Sequence, residues 1–219
     1  MSESNFRVEV RRITPPLLFQ EVAEMTTGKP CRMSWNRALC SGHSIVRAEE
    51  YLIKFYGIPQ CVANHLVRHI HAQPYVLSKR PDRGGKDFNT ECSALAGAID
   101  YEYSTRVKSH IHHLTCQLRN LPNEFDRHAP TNMALKLNAE EIINISKVRL
   151  CSKASVETRE VWQEVVNELR RGVDPDLAMH CVPTCVYRGG ICPEPKSCGY
   201  NKSQIFQKYL EQYKLKFTR

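Results

Sequence analysis

From Phe6 to Ile13, FRVEVRRI, apolar and polar side chains alternate, the period of a half-buried strand, and Pro15-Pro16 stops it. Leu17 to Met25 predicts a short helix and Thr26 to Pro30 a turn, while Cys31 to Arg47 has no clear period. Glu49 to Gly57, EEYLIKFYG, alternates again: Tyr51, Ile53 and Phe55 point one way, Leu52, Lys54 and Tyr56 the other. This predicts a second strand that ends in a turn at Gly57. The period then changes. Pro59 stands where the first turn of a helix tolerates it, Val62, Leu66, Val67 and Ile70 follow at helical spacing, and Pro74 closes the helix. Tyr75 to Leu77 is a short run ahead of a Gly-containing loop at Pro81 to Gly85. Ser93 to Ile99 begins another helix, Tyr101 to Asn120 reads as a solvated helix, and Leu121 to Thr131 as a loop. Asn132 to Leu137 predicts a strand with Met133, Leu135 and Leu137 on one face. Asn138 to Cys151 predicts a helix, with Asn138 as N-cap, Glu141 completing a capping box, and Ile142, Ile145 and Val148 or Arg149 at helical spacing. In Val156 to Arg171, Val161, Val165 and Leu169 share a helical face, and Gly172 is the expected stop. In the tail, Ser203 to Phe217, the residues Ile205, Phe206, Tyr209, Leu210 and Tyr213 form one apolar face. This is a helix for docking on its own body or on a neighbouring subunit.

Composition narrows the class. The chain has 219 residues, 42% of them hydrophobic, and a mean hydropathy of -0.45, which suits a soluble chain able to bury a core. No apolar run approaches the roughly 20 residues of a membrane span. The start, MSESNFRVEVRR, lacks the apolar centre of a signal peptide, so a cytoplasmic location is expected, with no membrane partner. The formal charge of +8 and pI of about 9.0 favour anionic partners. Lys and Arg are spread along the chain, which points to a phosphate pocket and makes nucleic acid an unlikely partner.

Two stretches carry candidate chemistry. In the first, Arg68, Arg80 and Arg83, with the Ser78 hydroxyl, are the groups to converge on an anion, because the planar guanidinium fork suits a phosphate. The alternative is a solvated helix face. The second is HCVPTCVYRGGICPEPKSCG, in which Cys181, Cys185, Cys192 and Cys198 lie on turns and read as ligands of one structural zinc ion. Cysteines that merely pack, or an iron–sulfur cluster, are the alternatives there. The other six of the ten cysteines read as small buried hydrophobes. His110, His112 and His113 sit close together on a polar stretch and read as solvated.

The first stretch, NHLVRHIHAQPYVLSKRP, resembles the signature RHRxxSxNExSxRY of the flavin-dependent thymidylate synthases, with Arg68, His69, Ser78 and Arg80 in register. Ile70, Gln73, Tyr75, Val76 and Pro81 replace an Arg, Ser, Asn, Glu and Tyr of that signature. NAEEIINISKVR is similar to the family phrase NARxxxNFxxxR, with Asn138, Asn144 and Arg149 aligned, Glu140 in place of an arginine, and Ala154 and Glu157 aligned further on. The resemblance implies an α/β (α+β) fold: a central mixed or antiparallel sheet flanked by helices, with a Cys-rich loop towards the C-terminus. Residues 1–175 would be the catalytic domain, 176–200 the Cys-rich loop and 201–219 a docking helix. It implies that Arg68, Ser78, Arg80, Arg127 and Arg149 bind the substrate and that Arg149 is also catalytic. It implies that His43, His69, Asn138 and Asn144 meet the flavin; a capping loop histidine is the alternative for His43. The implied reaction is FAD-dependent one-carbon transfer to C5 of a pyrimidine deoxynucleotide such as dUMP. NADPH and the folate methylenetetrahydrofolate would be co-substrates, and the assembly a homotetramer. The replaced positions leave room for dCMP, or for hydroxymethylation instead of methylation. A non-catalytic nucleotide-binding module of the same fold is the second reading, and a small zinc-containing nucleic-acid-binding protein the third.

Overall fold

The computed structural model describes residues 6–77 and 129–215. The expected roles of Ser78, Arg80, Arg83 and Arg127, the histidines around His112, and the helices expected between Ser93 and Asn120 lie outside the described residues.

At the centre is an antiparallel sheet of four strands, β1 (Arg7–Arg12), β2 (Glu50–Pro59), β3 (Gln73–Val76) and β4 (Pro130–Asn138), in the order β1-β2-β4-β3. The fold is therefore α/β in content with an antiparallel sheet. The alternation read from the chain decides which side faces in: Val8 and Val10, then Tyr51, Ile53 and Phe55, then Met133, Leu135 and Leu137 are all buried on one face. On the open face Arg7 lies over the Tyr56 ring at 4.3 Å and Lys136 pairs with Glu50 at 2.9 Å.

Gly57 does not end β2 in a turn. The strand runs on to Pro59 through a bulge between Phe55 and Ile58, and Gly57 takes φ 69° there, a left-handed conformation open to glycine at little cost. The helix after it, α3 (Gln60–Leu66), is shorter than the periodicity predicts. It stops well before Pro74, which instead sits inside β3, an edge strand where a missing N–H is tolerated. Ile70 consequently leaves the apolar face and is 91% exposed.

Helices cover the buried face. Helix α1 (Leu18–Thr27) runs two residues beyond the expected boundary, and α2 (Trp35–Ser41) and a 3-10 turn (Ser44–Ala48) occupy the stretch without a clear period. Helix α4 (Ala139–Arg149) is capped by Asn138, whose side-chain oxygen accepts from the Glu141 N–H at 2.9 Å. The reciprocal half of the capping box is not made: the Glu141 carboxylate turns towards His69 instead. Helix α5 (Val156–Glu168) lays Val161, Trp162 and Val165 against the sheet, and the buried Trp162 indole donates to the Ser146 hydroxyl at 2.9 Å. A π-turn (Leu169–Val173) containing Gly172 at φ 155° replaces a simple stop and leads into α6 (Pro175–His180). Asp174, 4% exposed, locks this corner by accepting from the Trp35 indole at 2.9 Å, the Leu177 N–H at 2.8 Å and the Tyr51 hydroxyl.

A second, smaller core lies beyond. Helices α7 (Thr184–Tyr187) and α8 (Gln204–Lys214) enclose Val182, Cys185, Val186, Phe206, Leu210 and Tyr213. The tail helix thus docks on its own body. Ile205, expected on its apolar face, is 75% exposed.

Candidate functional site

Helix α3 and the turn after it bring His65, Arg68 and His69 against the inner side of α4, where Glu141 and Arg149 lie two turns apart. The Arg149 Nε–H donates to Nε2 of His69 at 3.1 Å, and its terminal N–H to the His65 carbonyl at 2.7 Å. A nitrogen that accepts from a guanidinium carries no proton, so His69 is the neutral tautomer with its proton on Nδ1. That nitrogen faces the Glu141 carboxylate at 3.7 Å. Burial, reinforced by the Arg149 charge, lowers the His69 pKa to about 4, so at neutral pH the contact with Glu141 is not an ion pair. Burial likewise raises the Glu141 carboxyl, against the opposing influence of His71 and an Asn144 hydrogen bond. Burial lowers the Arg149 pKa, and the nearby Arg68 charge lowers it further.

Two guanidinium groups near enough to repel each other, one of them half-buried with neutral hydrogen-bond partners, gain from the arrival of an anion. His65 is itself held: its Nδ1 is 2.8 Å from the buried Thr158 hydroxyl at the start of α5. The sheet fixes α3 through β2, the cap fixes α4, and the cluster is positioned from both sides.

The other residues singled out in the sequence are placed as follows. His43 is an exposed N-cap whose Nδ1 accepts from the Ile45 N–H at 3.3 Å. The Asn138 oxygen is engaged in capping α4, and the Asn144 oxygen accepts from Lys147 at 3.1 Å. Glu140, standing where the family phrase has an arginine, is ion-paired with Arg47 across to the 3-10 turn. Glu141, His65 and Thr158 are the site residues that sequence reasoning missed. Only the spacing of Glu141 from Arg149 on one helix could have flagged it.

The far side of Arg149 opens on a cavity of about 1120 Å³ between the end of α4, α5, α7 and α8. Lys147, Lys153, Arg159, Arg170 and Lys208 join Arg149 in its wall, and Glu194 is the carboxylate among the described residues lining it. Cys151, Cys181, Cys185, Cys192 and Cys198 also reach this wall. The expected zinc ligands do not form a single-ion site. Among the described residues no group of three His, Cys, Asp or Glu side chains is placed to hold a metal ion. One reason is visible at Cys181, whose thiol donates to the Leu177 carbonyl at 3.4 Å.

No family model matches the chain. Three curated relatives do. Over 210 residues it is 22% identical to a flavin-dependent thymidylate synthase of Clostridium tetani, covering 84% of this chain and 83% of that one. It is 23% identical to one from Saccharolobus solfataricus, over 84% of this chain and 72% of that one. It is 26% identical to one from Sulfolobus acidocaldarius, over 65% of this chain and 58% of that one. All three of these relatives are flavin-dependent thymidylate synthases, and the chain resembles them at low identity along most of its length. Among solved structures, thymidylate synthase X of Helicobacter pylori with FAD and dUMP compares at a TM-score of 0.47 and 14% identity, covering 78% of this chain and 99% of that one. Among the described residues no helix is long and apolar enough to cross a membrane.

Proposed function

We propose that the protein is a flavin-dependent enzyme that transfers a one-carbon unit to C5 of a pyrimidine deoxynucleotide, dUMP first and dCMP as the runner-up. The observation that carries this is the Arg149–His69–Glu141 arrangement beside Arg68: a half-buried guanidinium oriented by a neutral imidazole and a backbone carbonyl, with a second guanidinium close by. Arg149, fixed by His69 and the His65 carbonyl, would set a guanidinium against negative charge developing on the pyrimidine ring. Arg68, with Ser78, Arg80 and Arg127, would hold the phosphate and orient the base. His69 stays neutral at working pH and acts as a positioning residue for Arg149.

For a flavin, His69 and Asn144, with Asn138 and His43 as the family phrases imply, would supply the polar groups, and FAD carries two phosphates. His69 and Asn144 would hold it most directly, while Asn138 keeps its capping role. FAD, when bound, supplies hydride chemistry, with NADPH as reductant and methylenetetrahydrofolate as carbon donor. A homotetramer is part of the reading. Ile70, Tyr75, Val76 and Leu77, apolar and exposed along the edge strand, support a subunit contact there.

The test is an absorption spectrum of the purified protein with added FAD, then with dUMP or dCMP, followed by tritium release from the C5-labelled nucleotides. A flavin spectrum perturbed by one nucleotide, with tritium release from it, is the expected result. Nucleotide binding without flavin binding would move the protein to the non-catalytic reading, which the Arg47–Glu140 pair favours. No release from either nucleotide would overturn the proposed reaction.

A further inference from the structure

We propose that the cavity between the end of α4, α5, α7 and α8 is a second anion site that takes a nucleoside triphosphate, separate from the proposed substrate site on the other side of Arg149. Lys147, Lys153, Arg159, Arg170 and Lys208 line it against one carboxylate, Glu194. The hydrogen bonds these cations make go to neutral groups. Lys147 donates to the Asn144 side-chain oxygen at 3.1 Å and lies over the Tyr187 ring at 3.8 Å. Arg159 donates to the Ser152 carbonyl at 3.4 Å, and Arg170 to the Asn167 side-chain oxygen at 3.4 Å.

Among the described residues none of the five is in an ion pair, whereas Arg12, Arg47, Lys136 and Arg171 each have a glutamate. The contrast is sharpest between neighbours. Arg171 meets both Glu164 and Glu168, while Arg170, which lines the cavity, meets neither. Like charges gathered in a concave wall raise the local potential, and an anion of several charges relieves it. Arg149 also reaches this wall, but His69 and the His65 carbonyl hold it from the other side, so the site does not depend on it.

The shape of the cavity selects the ligand. One wall is a single face of α5 and the turn after it, Arg159, Gln163, Val166 and Arg170; another is a single face of α8, Ile205, Lys208, Tyr209 and Gln212. Arg159 and Arg170 stand about 16 Å apart along the helix axis. A lone phosphate would leave most of this length and of the 1120 Å³ empty. The walls between the cations are apolar: Val148 is 50% and Ile205 75% exposed, and both line the cavity with Tyr200 and Tyr209. Aromatic rings offer a base a stacking face, and the Gln163 and Gln212 amides can meet its polar edge. A polymer of nucleic acid would call for a basic stripe along an open surface; these cations converge on a cavity, the form of a small-molecule site.

The experiment is calorimetric titration of the full chain at about 0.15 M salt with ATP, dTTP and inorganic tripolyphosphate, and separately with dUMP. ATP or dTTP should bind at about one per chain, more tightly than tripolyphosphate, and more weakly as salt rises. The double variant Arg170→Gln/Lys208→Gln removes two cations whose side chains are exposed, so the urea midpoint should not move. It should weaken the triphosphate by about tenfold or more and leave dUMP affinity as in the parent. Lys153→Gln, on the turn after α4, should weaken the triphosphate in the same direction. Loss of dUMP or FAD binding with triphosphate binding intact would count against the proposed reaction and leave this site standing. No binding of ATP or dTTP, undiminished binding in both variants, or tripolyphosphate binding as tightly as either nucleotide would each overturn the assignment.

Discussion

Lowering the pH should destabilise this protein through His69, and the size of the effect follows from where the imidazole sits. Its side chain is 15% exposed, it accepts from Arg149, and its pKa is about 4 against an ordinary 6.5. Between those values the unfolded chain takes up a proton that the folded chain refuses. Stability is therefore greatest above the unfolded pKa and falls as the pH drops towards the folded one. For one site with these two values the loss between about pH 7.5 and about pH 5 is about 2 kcal/mol. Glu141 acts in the opposite sense: its raised carboxyl pKa means the folded chain keeps a proton the unfolded chain releases, so its contribution falls as pH rises through the carboxylate range. Comparing the parent with His69→Gln removes that background, because Gln can still accept from Arg149 but does not titrate. The assay is urea unfolding of both proteins across this pH range. The parent should lose about 2 kcal/mol more than the variant, or about 4–8 °C in Tm. Equal losses in the two proteins would refute the reasoning, since the imidazole would then not be held neutral by its surroundings.

Three other outcomes follow from the same contacts. Arg149→Ala should weaken nucleotide binding or turnover by about 100-fold while costing about 1–2 kcal/mol of stability, because its bonds go to neutral groups; calorimetric titration and unfolding of the same samples check both, and a large stability loss with unchanged affinity would make it a purely structural arginine. Asp174→Ala should cost about 3–5 kcal/mol by leaving the Trp35, Tyr51 and Leu177 donors without their buried acceptor, read as a fall in the denaturant midpoint. Gly57→Val should cost about 1–2 kcal/mol because a β-branched residue is strained at φ 69°; an unchanged midpoint would mean that the bulge is not required.

The sheet was legible because period-two alternation is a local property: Tyr51, Ile53 and Phe55, or Met133, Leu135 and Leu137, face the core whatever else the chain does. The α4 cap at Asn138 and the buried face of α5 were legible for the same reason, since they depend on neighbours within a few residues. Arg68 was singled out as a candidate by its chemistry beside Arg80 and Arg83, whereas His69 and Arg149 were singled out only through resemblance to family phrases.

What the tertiary structure decided are the contacts between parts distant in sequence. Pairing of β3 with β4 claims the residues around Pro74, so α3 ends at Leu66 and Ile70 goes to the surface. Pairing of β2 with β4 turns Gly57 from a stop into a bulge. Glu141 leaves its expected capping partner because His69 stands opposite it, and Cys151 joins the late cysteines because the end of α4 meets α7 and the loop beyond. Alternation and capping are written in adjacent residues and survive as sequence. Which bridge, carboxylate or thiol meets which partner depends on how the sheet and helices close on one another, and that free energy comes from contacts no local window contains.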